Sequence, residues 1–441
     1  MSRTEPARGM RDFLPEDIRR REYVVGVIRR VYERYGFEPL ETPAVENLET
    51  LLGKYGDEGN QLIFKILKRG EHEASGQADL ALRYDLTVPL ARVVAHHQAK
   101  LPRLFKRYQI QPVWRADRPA RGRFREFYQC DVDALGSASP VIEAELCTAV
   151  AEALEELGFA EFRIRINHRQ LLTSILTALG MAEPLNGTAL VAIDKLDKIG
   201  VDGVKRELGG RGVADSAADG LLQAFSSGSR SLDAPPVANL DDAGLAAFAN
   251  LREIMSLASG TAAGPRLDFD PSLARGLSYY TGAIMEINVP DLAGSLGGGG
   301  RYDNLVGMFL SQSIPACGFS LGLERILVVM GERAMFPGTL QTTPADVLMT
   351  VFDTADLPHA VRVAGLLRAA GLRVFVYPDA DKIGKQIKYA DARGIPCVAI
   401  LGSDEVAAGT VTVKYLTART QQTYEQTAAG AAILEVLNHR G

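Results

Sequence analysis

Several features that define common protein classes are scarce in this sequence. The 441 residues contain only four cysteines, and none of them belongs to a C-x-x-C pair. Neither a disulfide framework nor a cysteine-ligated zinc site is indicated, and we expect reduced thiols in a cytoplasmic protein. The first residues lack the apolar centre of a signal peptide, and no later run has the apolar length that crosses a bilayer. We therefore expect no membrane-spanning segment.

Familiar catalytic motifs are missing as well. The six histidines form no H-E-x-x-H motif, and no G-x-S-x-G nucleophile elbow occurs. The glycine run at residues 297–300 matches neither the P-loop nor the G-x-G-x-x-G pattern. The net charge of -5 argues against a protein that coats nucleic acid with a basic surface, although it leaves room for a local basic groove.

Arginine is concentrated in one predicted hairpin. Strand patterns at residues 103–116 and 121–136 are separated by the turn-like DRPARG, which predicts an antiparallel pair. This hairpin carries Arg115, Arg118, Arg121, Arg123 and Arg125. The planar guanidinium fork suits bidentate phosphate recognition, so a polyphosphate nucleotide is the indicated ligand. A solvated strand face with weak surface ion pairs is the alternative.

Acidic and neutral polar residues alternate along two strand-like stretches. In the second strand of the hairpin, Gln129 and Asp133 fall on the same face as Arg123, and in LRYDLTVP the residues Asp85 and Thr87 share a side. A pocket lined by these four residues would suit a small ligand with an ammonium group and a second polar N–H. An ordinary amphipathic sheet that faces water is the alternative.

Two further features point to a phosphate-bearing ligand. The four consecutive glycines at residues 297–300 allow the backbone to touch a flat or bulky ligand, although a flexible turn is the alternative. Arg325 is predicted at the start of a helix, where a cation opposes the helix dipole unless an anion lies nearby. Attack of a carboxylate on the α-phosphate of ATP fits this residue set, because the nucleophile is already ionised at neutral pH.

The order of helix and strand patterns predicts three parts. Residues 1–330 are expected to form an α+β catalytic domain whose antiparallel sheet is flanked by helices. A helical segment at about 167–267 is expected to interrupt it, since that stretch is rich in alanine and leucine and contains a linker-like run. Alternating strands and helices predict a separate α/β domain at residues 344–441.

Several long motifs in the right order resemble one enzyme family. VWRADRPARGRFREFYQCDVDALG and GFSLGLERIL resemble motifs 2 and 3 of class II aminoacyl-tRNA synthetases, and the first helix with the Pro43 segment resembles the dimer-forming motif 1. LARGLSYYTG resembles the peptide peculiar to histidyl-tRNA synthetases, and GGGGRYD, RGMRDFLP and NHRQLL recur there. The resemblance implies ATP-dependent activation of L-histidine to histidyl-adenylate and its transfer to tRNA(His), by a homodimer that uses Mg²⁺. Class II relatives for threonine, proline or glycine lack the LARGLSYY-type peptide.

The resemblance also implies roles for individual residues. Arg115 and Arg275 would be catalytic, and Arg123 and Arg325 would join Arg115 in binding ATP. Histidine would be bound by Asp85, Thr87, Gln129, Asp133, Tyr279 and Tyr280. Lys382, Lys385 and Lys388 recur every third residue in a C-terminal domain that resembles the anticodon-binding domain, so they could meet RNA phosphate. One departure is Ser278, where the family usually has Asp.

One relative of this family is not an enzyme. The alternative interpretation is a synthetase-like regulatory subunit that partners ATP phosphoribosyltransferase. That paralogue typically lacks the C-terminal RNA domain and loses the ATP-binding arginines. Both features are present in this sequence, so the ligase is favoured.

Overall fold

The computed structural model describes residues 4–70, 75–193, 196–226, 232–274, 279–290, 292, 294–338, 340 and 343–438. The chain divides into two compact units. The N-terminal unit comprises Met1–Phe13 and Arg20–Phe336, and the C-terminal unit comprises Leu14–Arg19 and Pro337–Gly441.

The first part of the N-terminal unit supplies half of its main sheet. Its elements in chain order are α1 (Pro15–Arg34, which belongs to this unit from Arg20 onwards), β1 (Glu38–Pro39), β2 (Val45–Asn47), α2 (Leu48–Leu51), α3 (Gly56–Gln61), β3 (Lys65–Leu67), β4 (Ala78–Leu82), α4 (Thr87–His96), β5 (Phe105–Trp114), β6 (Glu126–Leu135), α5 (Val141–Glu156) and β7 (Arg163–His168). Apolar residues recur at helical spacing from Asp17 to Tyr35, which predicts a helix that stops at Gly36. Helix α1 confirms it, and Gly36 adopts a φ of +74° just beyond the helix end. The predicted hairpin is confirmed by β5 and β6, which pair antiparallel.

The remainder of this unit is a helical stretch followed by the last strands. Its elements are α6 (Arg169–Ala178), α7 (Asn186–Ile193), α8 (Leu196–Gly210), α9 (Asp215–Ser226), α10 (Asp242–Ala258), β8 (Leu267–Phe269), β9 (Ala283–Asn288), β10 (Gly297–Arg301), β11 (Ala316–Gly322) and α11 (Leu323–Glu332). Among the described residues the main sheet has the strand order β1-β5-β6-β11-β10-β9-β7-β8. It is largely antiparallel, with parallel pairs at its two ends. The fold class predicted from the sequence is confirmed.

Helix α5 covers one face of this sheet. Leu146, Val150 and Leu154 recur at helical spacing and are completely buried. They belong to the large core that also contains Val132 of β6 and Phe319 of β11. Because this core fixes the central strands, the opposite sheet face is positioned to carry a site.

The C-terminal unit is a mixed sheet with helices. Its elements are β12 (Val347–Met349), α12 (Leu357–Ala369), β13 (Val374–Val376), α13 (Ile383–Ala392), β14 (Cys397–Ile400), α14 (Ser403–Ala408), β15 (Thr410–Tyr415), β16 (Thr420–Glu425) and α15 (Ala429–Asn438). Strand β12 pairs parallel with β13 and β14, whereas β14, β15 and β16 pair antiparallel. Alternating strands and helices predict a parallel or mixed sheet, and the mixed pairing confirms it. Strand β16 was not predicted, because its polar sequence TQQTYE is almost entirely exposed and lacks an apolar alternation.

Two stretches predicted as strands are not strands throughout. Residues 121–125 form a loop before β6, with an isolated bridge between Ala120 and Arg123. The ladder ends at Trp114 and Glu126, and Gly122 adopts a φ of +67° that an extended strand does not allow. LARGLSYYTGAIMEI, residues 273–287, also has a strand-like pattern, but the described strand there, β9, begins only at Ala283.

Candidate active site

A cavity of about 910 Å³ lies within the N-terminal unit, on the face of the central strands. Its walls come from the arginine hairpin, from the glycine run of β10 and from the junction of β11 with α11. Seven of the ten predicted site residues line it: Thr87, Arg115, Arg123, Gln129, Tyr279, Tyr280 and Arg325. Asp85 and Asp133 are buried behind the wall. The catalytic prediction Arg275 and the departure Ser278 lie outside the described residues.

One end of the cavity is basic. The Arg115 guanidinium donates to the backbone oxygen of Tyr84 at 3.0 Å and to Gln129 Oε1 at 3.4 Å. Arg123 pairs with Asp117 at 2.8 Å and keeps a side chain that is 53% exposed. Arg325, in the first turn of α11, donates to the backbone oxygen of Ser295. Three guanidinium groups from two separate segments therefore surround one space, which suits a polyphosphate.

The glycine run forms the floor beside these arginines. Gly297, Gly298 and Gly299 all line the cavity. A Cβ on Gly299 would approach the backbone oxygen of Gly318 to 2.1 Å, so no larger residue fits there. The run thus serves close strand packing as well as access of a ligand to the backbone, and the flexible-turn alternative is wrong because these residues are strand β10.

The other end of the cavity carries hydroxyl and amide groups. Asp85 lies beneath it and is 1% exposed. Its carboxylate accepts from the Tyr55 hydroxyl at 3.0 Å, the Val88 amide at 3.1 Å and the Tyr279 hydroxyl at 3.3 Å. Burial raises the pKa of Asp85, while these donors and Arg115 oppose that rise. Asp85 therefore acts on this end of the cavity through Tyr279 and as a nearby negative charge.

Strand alternation in LRYDLTVP predicts the positions of only some of its residues correctly. Strand β4 ends at Leu82 and α4 begins at Thr87, so the residues between them form a turn. Strand alternation would put Arg83 on the same side as Asp85. Arg83 is instead buried elsewhere, at 1% exposure, and donates to Thr42, Pro43 and Gln111. The turn, and not strand alternation, brings Asp85 and Thr87 to the cavity.

A pair of buried carboxylates lies behind the same end. Asp133 is 2% exposed, pairs with Arg107 at 2.9 Å and accepts a hydrogen bond from the Tyr302 hydroxyl. Asp131, also 2% exposed, accepts from Gln129 Nε2 at 3.3 Å. Burial raises the pKa of Asp131 to about 7, although Arg107 favours its ionised form. Arg107 is completely buried, so it balances one of these two charges in a region that water does not reach.

Gln129 connects the two ends of the cavity. Its Oε1 accepts from Arg115, while its Nε2 donates to Ser320 Oγ at 2.9 Å and to Asp131. Ser320 lies directly opposite Asp131 in the pairing of β11 with β6. Sequence reasoning missed Ser320 and Arg107, although the strand alternation of β11 and the charged residue inside apolar β5 were signals that could have identified them.

Acidic residues line the basic end as well. Glu286 of β9 and Glu324 of α11 both face the cavity. Glu324 is 3% exposed, accepts from the Tyr128 amide at 3.0 Å, and has a pKa that burial raises to about 7. Among the described residues, no three His, Cys, Asp or Glu side chains come together as a metal site.

The segment that leads to Arg275 is firmly attached. The buried Asn167 donates through Nδ2 to the backbone oxygens of Pro271 at 3.1 Å and Leu273 at 3.0 Å. Asp270 pairs with Arg165 at 2.6 Å. Leu273 itself lines the cavity, so the chain enters the undescribed residues 275–278 at the cavity wall.

In the C-terminal unit, the three predicted lysines are all exposed. Lys382 precedes α13, and Lys385 and Lys388 lie within it. Lys385 pairs with Asp381 in the preceding turn. The opposite helix face is anchored by Gln386, which is completely buried and bonds both backbone groups of Val351. None of the described helices has the length and apolar character needed to cross a membrane.

Comparisons with known proteins match this chain to one family along nearly its whole length. A family model described as histidyl-tRNA synthetase matches residues 9–326, and one described as an anticodon binding domain matches residues 346–435. The histidine–tRNA ligase of Cytophaga hutchinsonii is 41% identical over 94% of this chain and 96% of its own. That of Gloeobacter violaceus is 40% identical over 96% and 97%. The crystal structure of histidyl-tRNA synthetase from Nostoc sp. PCC 7120 superposes with a TM-score of 0.79 at 31% identity, covering 99% of this chain and 100% of its own.

Proposed function

This chain belongs to the histidyl-tRNA synthetase family and is a histidine–tRNA ligase of class II, and we propose that the cavity described above is where it joins ATP to L-histidine. The observation that carries the proposal is the convergence of Arg115 and Arg325 with Thr87, Gln129 and Tyr280 on one space. The cationic end suits the triphosphate, and the end above Asp85 suits the ammonium group of an amino acid.

At the nucleotide end, Arg115 holds the α-phosphate, and Arg123 and Arg325 hold the rest of the triphosphate. Mg²⁺ supplies further charge neutralisation on the phosphate oxygens when it is bound. The carboxylates that line this end, Asp117, Glu286 and Glu324, offer it few protein ligands, which fits an ion that keeps most of its waters and binds largely through the nucleotide.

At the histidine end, Thr87 and Asp85 receive the α-amino group, with Asp85 supplying negative charge from beneath. Gln129 contacts the bound amino acid and is oriented by its bonds to Arg115 and Asp131. Tyr280 lines the cavity and Asp133 lies behind it, and together they read the imidazole. Tyr279, bonded to Asp85, closes this end.

The chemistry needs alignment and charge stabilisation more than proton transfer. A histidine carboxylate oxygen attacks the α-phosphorus in line with the bond to pyrophosphate, which leaves as the mixed anhydride forms. Arg115 stabilises the charge that develops on the α-phosphoryl oxygens, and the resemblance of LARGLSYY supports the same role for Arg275. A hydroxyl of the terminal ribose of tRNA(His) then attacks the carbonyl, and AMP leaves.

Histidine-dependent exchange of pyrophosphate into ATP tests the site. Exchange should respond to L-histidine and not to threonine, proline or glycine. Arg275→Ala should reduce the exchange rate by orders of magnitude with a modest change in histidine affinity, because the residue acts on developing charge. Comparable exchange with another amino acid, or an undiminished rate in Arg275→Ala, would contradict the assignment.

We further propose that residues 1–330, interrupted at about 167–267, are the catalytic domain and that residues 344–441 bind the anticodon of tRNA(His). Exposed Lys382, Lys385 and Lys388 on one side of α13 support RNA contact, since each can neutralise a phosphate. Replacing all three by Gln should weaken aminoacylation, most strongly at low salt because the variant has fewer salt-sensitive phosphate contacts, and leave pyrophosphate exchange intact. Equal aminoacylation by the triple variant and the wild type would remove these lysines from the interface.

Two further proposals concern the assembly of this protein and its location in the cell. We propose a homodimer, supported by exposed apolar side chains on one face of the small sheet β2-β4-β3: Val45, Leu67 and Leu80 are 38%, 54% and 37% exposed. A monomeric mass by light scattering would contradict this.

We propose a cytoplasmic location, supported by four cysteines that are all buried and unpaired. Cell fractionation tests it.

A further inference from the structure

The histidine end of the cavity is assembled from two different sheets. Asp133 belongs to β6 of the main sheet, whereas Asp85 and Thr87 follow β4 of the small sheet β2-β4-β3. Among the described strands, these two sheets share no ladder. Strand pairing therefore does not fix the distance between the carboxylate that we assign to the imidazole and the turn that we assign to the α-amino group. A side chain that contacts both parts would fix it.

Arg107 of β5 makes both contacts. Its Nη2 lies 2.9 Å from Asp133 Oδ2, directly across the ladder of β5 with β6, and donates to the backbone oxygen of Leu86 at 3.2 Å. Leu86 stands between Asp85 and Thr87, immediately before the first residue of α4. One nitrogen of one guanidinium thus contacts both halves of the histidine end.

Stability alone does not explain an arginine at this position. Arg107 is completely buried, and its Nε and Nη1 have no hydrogen-bond partner among the described residues. A buried donor without a partner destabilises the folded state, because it has lost its hydrogen bonds to water. Apolar side chains of similar volume often replace buried ion pairs without loss of stability. The two contacts of Nη2 are therefore the reason we assign to this residue.

We propose that Arg107 is a positioning residue that sets the distance between the ammonium-binding turn and Asp133, and thereby selects the length of the amino acid side chain. The inference rests on the proposed function, in which this end of the cavity binds L-histidine. A guanidinium is planar and rigid, so two groups that contact it are held at a fixed separation. An amino acid with the same functional groups and a longer side chain does not fit both halves at once. Arg107 does not touch the ligand in this proposal.

The positive charge of Arg107 offers a second explanation, because Asp131 and Asp133 are both buried beside it. Charge alone would favour the ionised carboxylates without fixing a distance. Arg107→Lys separates the two explanations, since lysine keeps the charge on a flexible stem and lacks the planar fork. L-Homohistidine is the probe of distance, because it carries the same groups as L-histidine and one additional methylene.

Histidine-dependent pyrophosphate exchange measures the KM for histidine, the KM for ATP and the inhibition constant of homohistidine. We define the length ratio as the inhibition constant of homohistidine divided by the KM for histidine. In Arg107→Lys we expect the KM for histidine to rise about tenfold and the length ratio to fall about tenfold, with the KM for ATP within twofold of wild type.

The matched control is Arg301→Lys. It alters another buried arginine–carboxylate pair of the same unit, with Glu143 at 2.6 Å, and Arg301 is not part of the cavity lining. Arg301→Lys should be less stable than the wild type and should keep the length ratio of the wild type. It therefore separates a general loss of stability from a loss of spacing at the histidine end.

The inference is wrong if Arg107→Lys keeps the length ratio, if its KM for ATP rises as much as its KM for histidine, or if Arg301→Lys lowers the ratio equally. Wild-type protein without any histidine-dependent exchange would instead contradict the proposed function. If Arg107→Lys fails to fold, Tyr302→Phe provides the test, because it removes the other contact to Asp133 and leaves Arg107 in place. Its length ratio should stay within twofold of wild type. A larger fall would show that Tyr302 sets the distance and would overturn the inference.

Discussion

Replacement of Gly318 by alanine should damage both stability and histidine binding, because the glycine leaves room for Asp133. Gly318 lies opposite Asp133 in the pairing of β11 with β6. An alanine Cβ would sit 1.9 Å from Asp133 Oδ1 and 2.6 Å from its Cγ. Ordinary contact begins at 3.4 Å, so the carboxylate must retreat by about 1.5 Å.

Such a retreat separates the carboxylate from its partners. Asp133 pairs with Arg107 at 2.9 Å, and both side chains are almost fully buried. Breaking a buried ion pair leaves an uncompensated charge and typically costs about 3–5 kcal/mol. Backbone adjustment of β11 would recover part of that loss, so we expect Gly318→Ala to lower the free energy of unfolding by about 2–4 kcal/mol.

The fluorescence of Trp114 can follow this unfolding, since it is the only tryptophan and lies in β5 of the N-terminal unit. Urea denaturation at pH 7 gives the stability, and pyrophosphate exchange gives the KM for histidine, which should rise at least tenfold. The matched control is Gly331→Ala in α11, where a Cβ meets nothing within 4 Å and alanine should stabilise the helix slightly. The Asp133→Ala variant has no carboxylate to clash with. Adding Gly318→Ala to that variant should therefore lower the free energy of unfolding much less than adding it to the wild type. A loss below about 1 kcal/mol, or strict additivity in the double variant, would refute this reasoning.

Three further predictions concern buried groups. Burial raises the pKa of Asp131 from 3.8 to about 7, so the native state holds a proton that the unfolded state has lost between these values, and this group's contribution to stability falls as the pH rises from about 4 to about 7. Asp131→Asn should therefore flatten the fall in the urea midpoint over that range, and an unchanged slope would contradict this. Glu143→Gln should lower the free energy of unfolding by about 3–5 kcal/mol, because Glu143 forms a bidentate ion pair with the buried Arg301 at 2.6 and 2.7 Å. Urea denaturation measures this loss, and a loss below about 1 kcal/mol would contradict the prediction. The four cysteines are all buried, so a thiol reagent should label none of them in the native protein and all four in denaturant; rapid native labelling would contradict the packing.

Much of the fold is predictable from sequence where a single periodicity dominates. Helix α1 shows apolar residues at helical spacing and ends at a glycine, and the hairpin of β5 and β6 shows alternation on both sides of a proline-containing loop. Prediction fails where local pattern and tertiary contact disagree. Residues 121–125 alternate like a strand, but they bend because Arg125 bonds to Gly9, more than 100 residues away in sequence. No local pattern carries that information.

The candidate site was predictable in its residue types more than in its geometry. Arg115, Gln129 and Arg325 carry chemistry that an ordinary surface does not need, and all three line the cavity. Asp85 and Asp133 were expected to face the ligand directly, yet both lie behind the wall with protein partners. Whether a carboxylate lines the cavity or is buried behind its wall depends on how neighbouring elements pack. The alternation of one strand therefore cannot distinguish a carboxylate that contacts the ligand from one that acts through another residue.

The placement of these charges explains why the hairpin alternates as it does. Along β6, Phe127 and Gln129 line the cavity, and Asp131 and Asp133 follow beneath it towards the end that suits an amino acid. Arginine therefore gathers at the open end of the strand and aspartate at its buried end. Gln129 stands between them with its oxygen towards Arg115 and its nitrogen towards Asp131. A charged residue at this position could hydrogen-bond with only one of these neighbours, whereas a neutral amide can accept from Arg115 and donate to Asp131. A single strand of the sheet therefore separates a phosphate-binding end from an ammonium-binding end.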